Sequence, residues 1–390
     1  MKRGTALLSL LVVGTGLYFY QTNSNLKSNI DQWFAGLRYD SLDRDVKLDT
    51  VRKTSPQKAK PKPRERIPKK LKPGAFDRLD KYARNTPEKY SNRLQDLAAY
   101  LATPAQNDLE KARLAYTWIA THIRYDADAY NTGVYKDEFS AAAVLKRRTA
   151  VCEGYSTLFK ELTRRMHLEV EKITGYAKGY GLKEAARFSD TNHAWNAVKI
   201  NNEWQLIDVT WGSGYGFTHN KKLETKTRFD DYWFCVSPEE FIFSHLPESE
   251  DWQLTNPKIT LRQFEAMPRL DDSFFKLGFN AEDAYKEVLS GAIKEFVSTY
   301  STDFPVQAID VPLNKVIAKG QEYALTLQSD YAEAIAIIDD GEWTYFKKEN
   351  NRFSSNYIPK GNKLKIAVKI NWYDNNFSTI LEYEVDDVKI

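Results

Sequence analysis

The chain has 390 residues, of which 42% are hydrophobic and 13% aromatic, and its 56 Lys and Arg against 53 Asp and Glu leave a net charge of +3. This length is too great for one small core and predicts two domains, while so balanced a charge gives no indication of nucleic-acid binding. Two distant cysteines cannot form a disulfide framework, and no Cys/His cluster has metal-ligand spacing. We therefore expect free thiols at Cys152 and Cys235, no metal and no cofactor.

The N-terminus has the pattern of an export signal. Lys2 and Arg3 precede an apolar run over about residues 6–20, and a polar segment follows it. The run is short for a membrane span and its cleavage site is poor, so a cleaved signal and a retained anchor stay equally open. We assign residues 1–24 to an export signal or membrane anchor and expect an exported, extracytoplasmic protein, secreted or N-terminally anchored.

Residues 25–72 have the composition of a linker. The piece VRKTSPQKAKPKPRERIPKKLKP is basic and proline-rich, and it has too few large apolar residues to fold alone. It could contact an anionic membrane or cell-wall surface, or it could serve only as a spacer. The export signal argues against a nucleic-acid partner.

A helical region is predicted from about residue 74 to 124. The segment DLEKARLAYTWIATHIRY places Leu109, Ala112 and Tyr116 on one apolar stripe. Asn107 or Asp108 can cap the start of this helix.

A second helix is predicted to begin at Cys152. In GYSTLFKELTRRM, Tyr155, Leu158, Phe159 and Leu162 recur at spacings of three and four. Cys152 then lies in the first turn, where unpaired N–H groups and the helix dipole stabilise a thiolate. The same donors could hold an oxyanion, and the preceding LKRRTAV offers no evident side-chain donor.

A β-hairpin is predicted from HAWNAVKI and EWQLIDVTW. Asn201 and Asn202 between them suit a two-residue turn with positive φ. In the register that this turn sets, Asp208 faces Trp195, and His193 and Asp208 share one face about 7–8 Å apart as diagonal neighbours. Either residue alone could be structural, but together with Cys152 they predict a nucleophile, a base and a group that orients the base.

The remaining candidates are weaker. Cys235 lies in an apolar run without a histidine beside it and is predicted to be core. His122 and His167 fit partners of helix C-termini, His219 could line the cleft, and His245 is predicted to be structural. Trp195 and Trp211 follow the His and Asp candidates closely and are candidate substrate-binding residues.

The C-terminal part changes pattern. Residues 281–300 are predicted to be helical. Beyond residue 304, short alternating runs separated by turn residues predict a small antiparallel β-sandwich. The runs are VQAIDV, EYALTLQ, AEAIAIID, EWTYFKK, KLKIAVKI and FSTILEYEV. It contains no motif that carries chemistry; the aromatics Trp343, Tyr345, Trp372 and Tyr373 are assigned to core packing, with a ligand patch as the alternative.

The sequence resembles the transglutaminase-like superfamily, and within it the kyphoscoliosis-peptidase-like branch. The resemblance covers roughly residues 74–270, through AVCEGYSTLFKEL, NHAWNAVKINNEWQLIDVTWGSGY and the PEEF…HLPE…WQL segment. It implies an α+β fold. A papain/transglutaminase-like catalytic domain (73–280), with the Cys152 helix packed on an antiparallel sheet, would precede a small all-β sandwich with a leading helix (281–390).

The resemblance also implies a chemistry. Cys152 would attack a carbonyl to form a thioester, His193 would relay the proton, and Asp208 would fix the tautomer of His193. Thiol-dependent acyl transfer on protein or peptide amides is therefore expected, as a peptidase or amidase rather than a cross-linking transglutaminase. Some relatives have lost the catalytic residues, so the alternative is a non-catalytic cell-envelope scaffold or a binding protein with the same fold.

Overall fold

The computed structural model describes residues 74–135, 139–180, 187–302, 304–370 and 376–387. The export signal (1–24) and the linker (25–72) therefore lie outside the described residues and stay predictions. Within the part of the chain that the structure describes, no helix combines the length and apolarity needed to span a bilayer.

The N-terminal helices pack around one long buried helix, as the periodicity of this region predicted. The helices before Cys152 are α1 (Asp77–Arg84), α2 (Leu94–Ala102), α3 (Asp108–His122), α4 (Ala127–Thr132) and α5 (Ala141–Arg147). Asn107 caps α3, since its side chain accepts from the N–H of Glu110. Short parallel strands β1 (Arg124–Tyr125) and β2 (Thr149–Ala150) then lead the chain to α6 (Cys152–Arg165).

An antiparallel sheet of five strands packs against α6. Its strands are β3 (Val170–Ala177), β4 (His193–Ile200), β5 (Glu203–Ile207), β8 (Phe234–Val236) and β9 (His245–Pro247). They lie in the order β8-β5-β4-β3-β9, and every pair is antiparallel. Tyr155 and Phe159 of α6 share a buried core with Trp195 and Val198 of β4. The predicted arrangement of a cysteine-bearing helix on an antiparallel sheet is confirmed.

The predicted hairpin register is right for β4 and β5 and wrong after them. Asn201 and Asn202 both have positive φ, and Asn196 pairs with Ile207 as the turn requires. The strand stops there, because the Asp208 side chain caps a short helix, α7 (Val209–Gly212). Asp208 therefore does not face Trp195 across the ladder.

A second hairpin follows α7. It is formed by β6 (Gly214–His219) and β7 (Lys222–Thr227), which pair with each other in a separate two-stranded sheet. Three short 3-10 turns and the helices α8 (Pro238–Phe241), α9 (Leu261–Ala266), α10 (Asp272–Lys276) and α11 (Ala281–Ser290) complete the part before the sandwich. The predicted helix over 281–300 ends early because Gly291 takes the left-handed conformation (φ 76°) that closes a helix.

The C-terminal β-sandwich is confirmed. One sheet has the order β10-β19-β18-β14-β15, with β12 beside β19, and the other has the order β11-β13-β17-β16. The strands are β10 (Ser298–Thr299), β11 (Gln307–Asp310), β12 (Val316–Ala318), β13 (Tyr323–Gln328), β14 (Ala334–Asp339), β15 (Glu342–Tyr345), β16 (Lys347–Glu349), β17 (Arg352–Tyr357), β18 (Lys363–Lys369) and β19 (Ser378–Asp386). Leu327 and Phe353 of one sheet share a core with Ile337 and Ile366 of the other.

Two features of the second part differ from expectation. Residues 242–285 pack in the same core as the sandwich, so the packing groups α9 to α11 with the sandwich, and the boundary at 280 stays a prediction. Trp343 and Tyr345, assigned to core packing, are 47% and 61% exposed because β15 lies at a sheet edge. Trp372 and Tyr373 lie outside the described residues.

Candidate active site

Cys152 lies at the first position of α6, as predicted. The residue before it, Val151, offers no side-chain cap, so the first turn lacks the acceptor that usually occupies this position. Gly154 allows the helix start to sit close to its neighbours, since a Cβ there would lie 2.7 Å from the Ala150 Cβ and 2.9 Å from a methyl of Val144. Cys152 is a free, partly buried cysteine at the N-terminus of this helix.

His193 and Asp208 meet although they are not cross-strand partners. His193 begins β4, and its Nε2 donates to Oδ2 of Asp208 over 2.7 Å. The other carboxylate oxygen, Oδ1, accepts the backbone N–H groups of Thr210 (2.8 Å) and Trp211 (3.1 Å). The helix cap thus aims the second oxygen of Asp208 at the imidazole.

The pair is charged at neutral pH. Burial opposes protonation of His193, but the Asp208 carboxylate and the neighbouring Cys152 outweigh it and raise the pKa of His193 to about 10. Burial likewise opposes ionisation of Asp208, yet the positive charge of His193 and its hydrogen bond hold the pKa of Asp208 well below its usual range. An imidazolium beside a thiol is the arrangement that favours a thiolate nucleophile.

His245, predicted to be structural, is a third member of this cluster. Its Nε2 lies 3.1 Å from Oδ2 of Asp208, and its Nδ1 lies 2.7 Å from Oγ of Ser244. Burial is the main reason that its pKa falls to about 4, against the opposing effect of the Asp208 carboxylate. His245 follows Asp208 by 37 residues, and no local sequence pattern joins the two. The pairing of β9 with β3 in the sheet places His245 beside Asp208.

Gly175 explains how two imidazoles reach one carboxylate. In β3 it pairs with His193 of β4 on one side and with Pro247 of β9 on the other. A Cβ at this position would lie 2.3 Å from the carbonyl oxygen of Leu246 and 2.5 Å from the Trp195 ring. Glycine therefore permits the close approach of β9 that places His245 beside Asp208.

The ligand atoms of His193, Asp208 and His245 all lie within 4.8 Å of one another, a spacing at which they could hold a metal ion. Hydrogen bonds from both imidazoles already converge on one Asp208 oxygen. In this arrangement the contacts to the carboxylate, 2.7 Å from His193 and 3.1 Å from His245, are hydrogen bonds.

Cys152 and His193 open into a cleft of about 200 Å³. Its wall combines small residues, aromatic rings and neutral polar groups, among them Ala177, Gly179, Tyr125, Tyr130, Tyr180, Trp211, Asn192 and Thr210. Among the described residues that line it there is no carboxylate, and His193 and Lys226 are the members able to carry a positive charge.

The β6–β7 hairpin forms one side of the cleft and is tied down at two points. The Asn131 side chain accepts from the N–H of Leu223 and donates to its carbonyl, both over 2.8 Å. The hydroxyls of Tyr180 and Thr218 lie 2.5 Å apart. These contacts join the hairpin to α4 and to the segment that follows β3.

Of the other candidate residues, some line the cleft and some do not. Trp211 lines the cleft, so its contact with substrate stays a prediction. Trp195 is 1% exposed and packs in the core, a position that does not support its predicted contact with substrate, which stays a prediction. His219 lies at the exposed end of the hairpin beside Glu224, away from the cleft. Cys235 packs against the core, and burial raises the pKa of its thiol.

Comparison with known proteins places the same segment in a family. A model of the transglutaminase-like superfamily matches residues 95–209. The chain carries a transglutaminase-like domain. This domain contains Cys152, His193 and Asp208, whereas His245 lies outside the matched residues.

The similarity is consistent with the kyphoscoliosis-peptidase branch, and the predicted resemblance is confirmed. Kyphoscoliosis peptidase of Homo sapiens is 34% identical over 206 residues, which are 52% of this chain and 30% of that protein. Cytokinesis protein 3 of Schizosaccharomyces pombe is 29% identical over 185 residues, 46% of this chain and 20% of that protein. A solved TGase structure is 21% identical, with 41% of this chain and 37% of that chain covered and a TM-score of 0.24. The match thus spans less than a third of these curated relatives.

Proposed function

We propose that the protein is a thiol-dependent acyl-transfer enzyme acting on protein or peptide amides, with Cys152, His193 and Asp208 as its catalytic residues. The observation that carries the proposal is the 2.7 Å hydrogen bond between His193 and Asp208 in a cleft that Cys152 also lines. A nucleophile, a base and an orienting group in this order of contact are what nucleophilic acyl transfer requires.

The proposed reaction has two stages. The Cys152 thiolate attacks the amide carbonyl carbon, and the N–H groups of the first turn of α6 stabilise the oxyanion. His193 gives its proton to the leaving nitrogen, the C–N bond breaks, and a thioester and a free amine result. His193, now neutral, takes a proton from water as the water attacks the thioester; the C–S bond breaks, the carboxylic acid leaves, and the Cys152 thiolate and protonated His193 are restored.

Hydrolysis is preferred to cross-linking on the basis of charge. A lysine acceptor brings an ammonium group to the cleft, where a carboxylate would favour its approach. The described lining residues include no carboxylate, and Lys226 would repel the acceptor. Water has no such requirement. The peptidase in the name of the human relative agrees with this preference.

A non-catalytic scaffold is the second candidate. One relative is named for cytokinesis rather than for an activity, and the match covers only a fifth of it. In such a protein the same fold would present a surface, and Cys152 would be dispensable.

Limiting iodoacetamide separates the two functions in the full chain. Peptide mass spectrometry would give the alkylation rates of both cysteines in the wild type, in His193→Ala, and in His219→Ala as a control with an exposed histidine. We expect fast labelling of Cys152 that falls at least tenfold in His193→Ala and is unchanged in His219→Ala. Cys235, whose thiol pKa is raised by burial, should label slowly in all three. Equal, slow labelling of both cysteines in the wild type would favour the scaffold.

We also propose that the protein is exported and that residues 25–72 contact an anionic membrane or cell-wall surface. The support is the sequence alone: an N-terminal apolar run behind Lys2 and Arg3, and the basic, proline-rich stretch after it.

A further inference from the structure

His245 uses both ring nitrogens in the interior. Nε2 faces Oδ2 of Asp208 at 3.1 Å, and Nδ1 faces Oγ of Ser244 at 2.7 Å. The side chain is fully buried. A histidine that only filled space would need neither contact, because a phenylalanine of similar shape would pack there without a polar group to satisfy.

The proton positions follow from charge. Asp208 is ionised, since the positive charge of His193 holds its pKa well below the usual range. A carboxylate only accepts, so Nε2 of His245 must carry the proton that points at it. A neutral imidazole then has Nδ1 as an acceptor, and the hydroxyl of Ser244 must donate to it. Ser244 therefore selects the one neutral tautomer that can hold Asp208.

We infer that His245 is a positioning residue for the triad: as a neutral imidazole held by Ser244, it donates to Asp208 and fixes the direction in which the carboxylate meets His193. The inference rests on the proposed function for its catalytic consequence. His245 is the fourth donor to this carboxylate, which accepts from Thr210 and Trp211 at one oxygen and from His193 at the other.

Among the described residues, the other neighbours of the His245 ring are aromatic. The Phe241 ring stacks on it at 4.0 Å between centroids, and the Trp211 ring lies 4.3 Å away. Among the described residues, the titratable groups that act on it are Asp208 and His193. An aromatic enclosure of this kind keeps the imidazole neutral while His193, on the same oxygen, is charged.

Sharing one oxygen has a predictable effect on His193. The hydrogen bond from His245 draws negative charge away from the bond to His193. Without it, Asp208 would attract the His193 proton more strongly, while losing a contact that holds its orientation. The stronger attraction should raise the basicity of His193. The loss of orientation should lower the reactivity of Cys152, because His193 is then held less well beside it.

The test uses three variants of the full chain. His245→Phe keeps a flat ring without a donor, His245→Gln keeps a donor that can reach Asp208, and Ser244→Ala removes the group that selects the tautomer. The ¹⁵N signals of the five histidines would be followed from pH 5 to 11, with His193 assigned through His193→Ala. Iodoacetamide labelling of Cys152 would be measured in the same samples.

We expect the His193 midpoint to rise by about one pH unit in His245→Phe, the shift that corresponds to losing one charge-assisted hydrogen bond. Cys152 labelling at pH 7 should fall three- to tenfold in the same variant. His245→Gln should restore the midpoint, and Ser244→Ala should give an intermediate shift. If His245→Phe does not fold, the other two variants still carry the comparison.

An unchanged His193 midpoint in His245→Phe, or in Ser244→Ala where the phenylalanine variant is unfolded, would overturn the inference, even if labelling slowed, because packing alone can slow labelling. Stoichiometric binding of Zn²⁺ that is lost in His245→Phe would overturn it too, since Nε2 would then be a metal ligand. The proposed function fails separately: a wild-type Cys152 that labels slowly would reject catalysis while the titration still reports the His245 contact.

Discussion

Asp208 combines two structural requirements in a single residue. As a helix cap it must place one oxygen over the N–H groups of Thr210 and Trp211, and as a member of the proposed triad it must present the other to His193. The cap is satisfied by backbone groups that cannot rotate away, so the carboxylate is oriented before any substrate arrives. Such pre-organisation is how enzymes hold charge in place for a reaction.

The buried His245 also predicts how stability depends on pH. Its folded pKa, about 4, lies below the ordinary value of 6.5. The contribution of His245 to the free energy of unfolding is therefore complete above pH 6.5 and is lost as pH falls towards 4. In this range the unfolded chain binds a proton at His245 that the folded protein does not bind. The full effect is roughly 3 kcal/mol. His193 acts in the opposite direction, since its raised pKa removes stability only as pH rises from 6.5 towards 10.

Urea unfolding at pH 6.5 and pH 4.5 measures this difference. The wild type should lose more free energy of unfolding between the two than His245→Phe, by roughly 2 kcal/mol. His219→Gln, which removes an exposed histidine at the hairpin end, should lose as much as the wild type. Equal losses in the wild type and in His245→Phe would show that His245 accepts a proton freely in the folded protein.

Among the site residues, those whose position follows from a local sequence pattern could be predicted. His245, whose position does not, was missed. Cys152 could be placed because helix periodicity begins immediately after it. His193 and Asp208 were predicted to lie close because Asn201-Asn202 sets the register of β4 and β5, although the helix cap at Asp208, and not the ladder, makes their contact. His245 contacts them only through β9, a strand of three residues. A lone histidine in the apolar segment IFSHLPE was nevertheless a sign, since a buried imidazole needs partners.

Among the elements, the β6–β7 hairpin governs access to the cleft. It pairs with no other strand of the described sheets, so its position depends on side-chain contacts rather than on a ladder. Asn131 supplies one of them by hydrogen bonding to both backbone groups of Leu223. Two hydrogen bonds made by one side chain resemble one step of a strand ladder.

Asn131→Ala should therefore release the hairpin without disturbing the core. Loss of two hydrogen bonds should cost about 1–2 kcal/mol locally and make residues 214–227 more sensitive to proteolysis. Limited trypsin digestion followed by mass spectrometry would show faster cleavage at Lys221, Lys222 or Lys226. Asp128→Ala, on the exposed side of the same helix, is the matched control. Identical cleavage of this region in both variants would mean that the Tyr180–Thr218 contact alone holds the hairpin.

The elements also show where sequence patterns stop being informative. Strands β13, β14, β18 and β19 were predicted because they are apolar and bounded by turn residues. β17 was missed because RFSSNY is mostly polar and buries only Phe353 deeply. The strand predicted over EWQLIDVTW ends at Ile207, four residues early, because the Asp208 side chain accepts from two following N–H groups and starts a helix. Tertiary pairing in the first case and a cap in the second overrode the alternation.

At the scale of the whole molecule, the cleft wall is joined to the core that residues 242–285 share with the β-sandwich. Lys178 lies between two cleft-lining residues, Ala177 and Gly179, and its ammonium group donates to the carbonyl of Met267 over 2.8 Å and lies 4.4 Å from the Phe264 ring. Burial lowers its pKa to about 8. The end of β3 is thus tied to the segment that packs with the sandwich, so the sandwich supports the site even without contributing a reacting group.

The basic segment over residues 25–72, outside the described residues, is proposed to act through its charge. If residues 25–72 contact an anionic surface, the full chain should sediment with vesicles containing about 30% phosphatidylserine more than with neutral phosphatidylcholine vesicles. The excess should vanish as salt rises from about 0.05 to 0.5 M, because exposed charges are screened. The apolar run at 6–20 can bind both vesicle types, so the difference between them isolates the basic segment.

A variant in which the Lys and Arg residues of 52–70 are changed to Gln provides the control. It keeps the length, the prolines and the apolar run but loses the charge. We expect it to bind the two vesicle types equally. Equal binding already in the wild type would assign the segment to spacing alone. The proposed enzyme would then be held near its surface by residues 1–24 or released from it, and its substrates would be those that diffuse to the cleft.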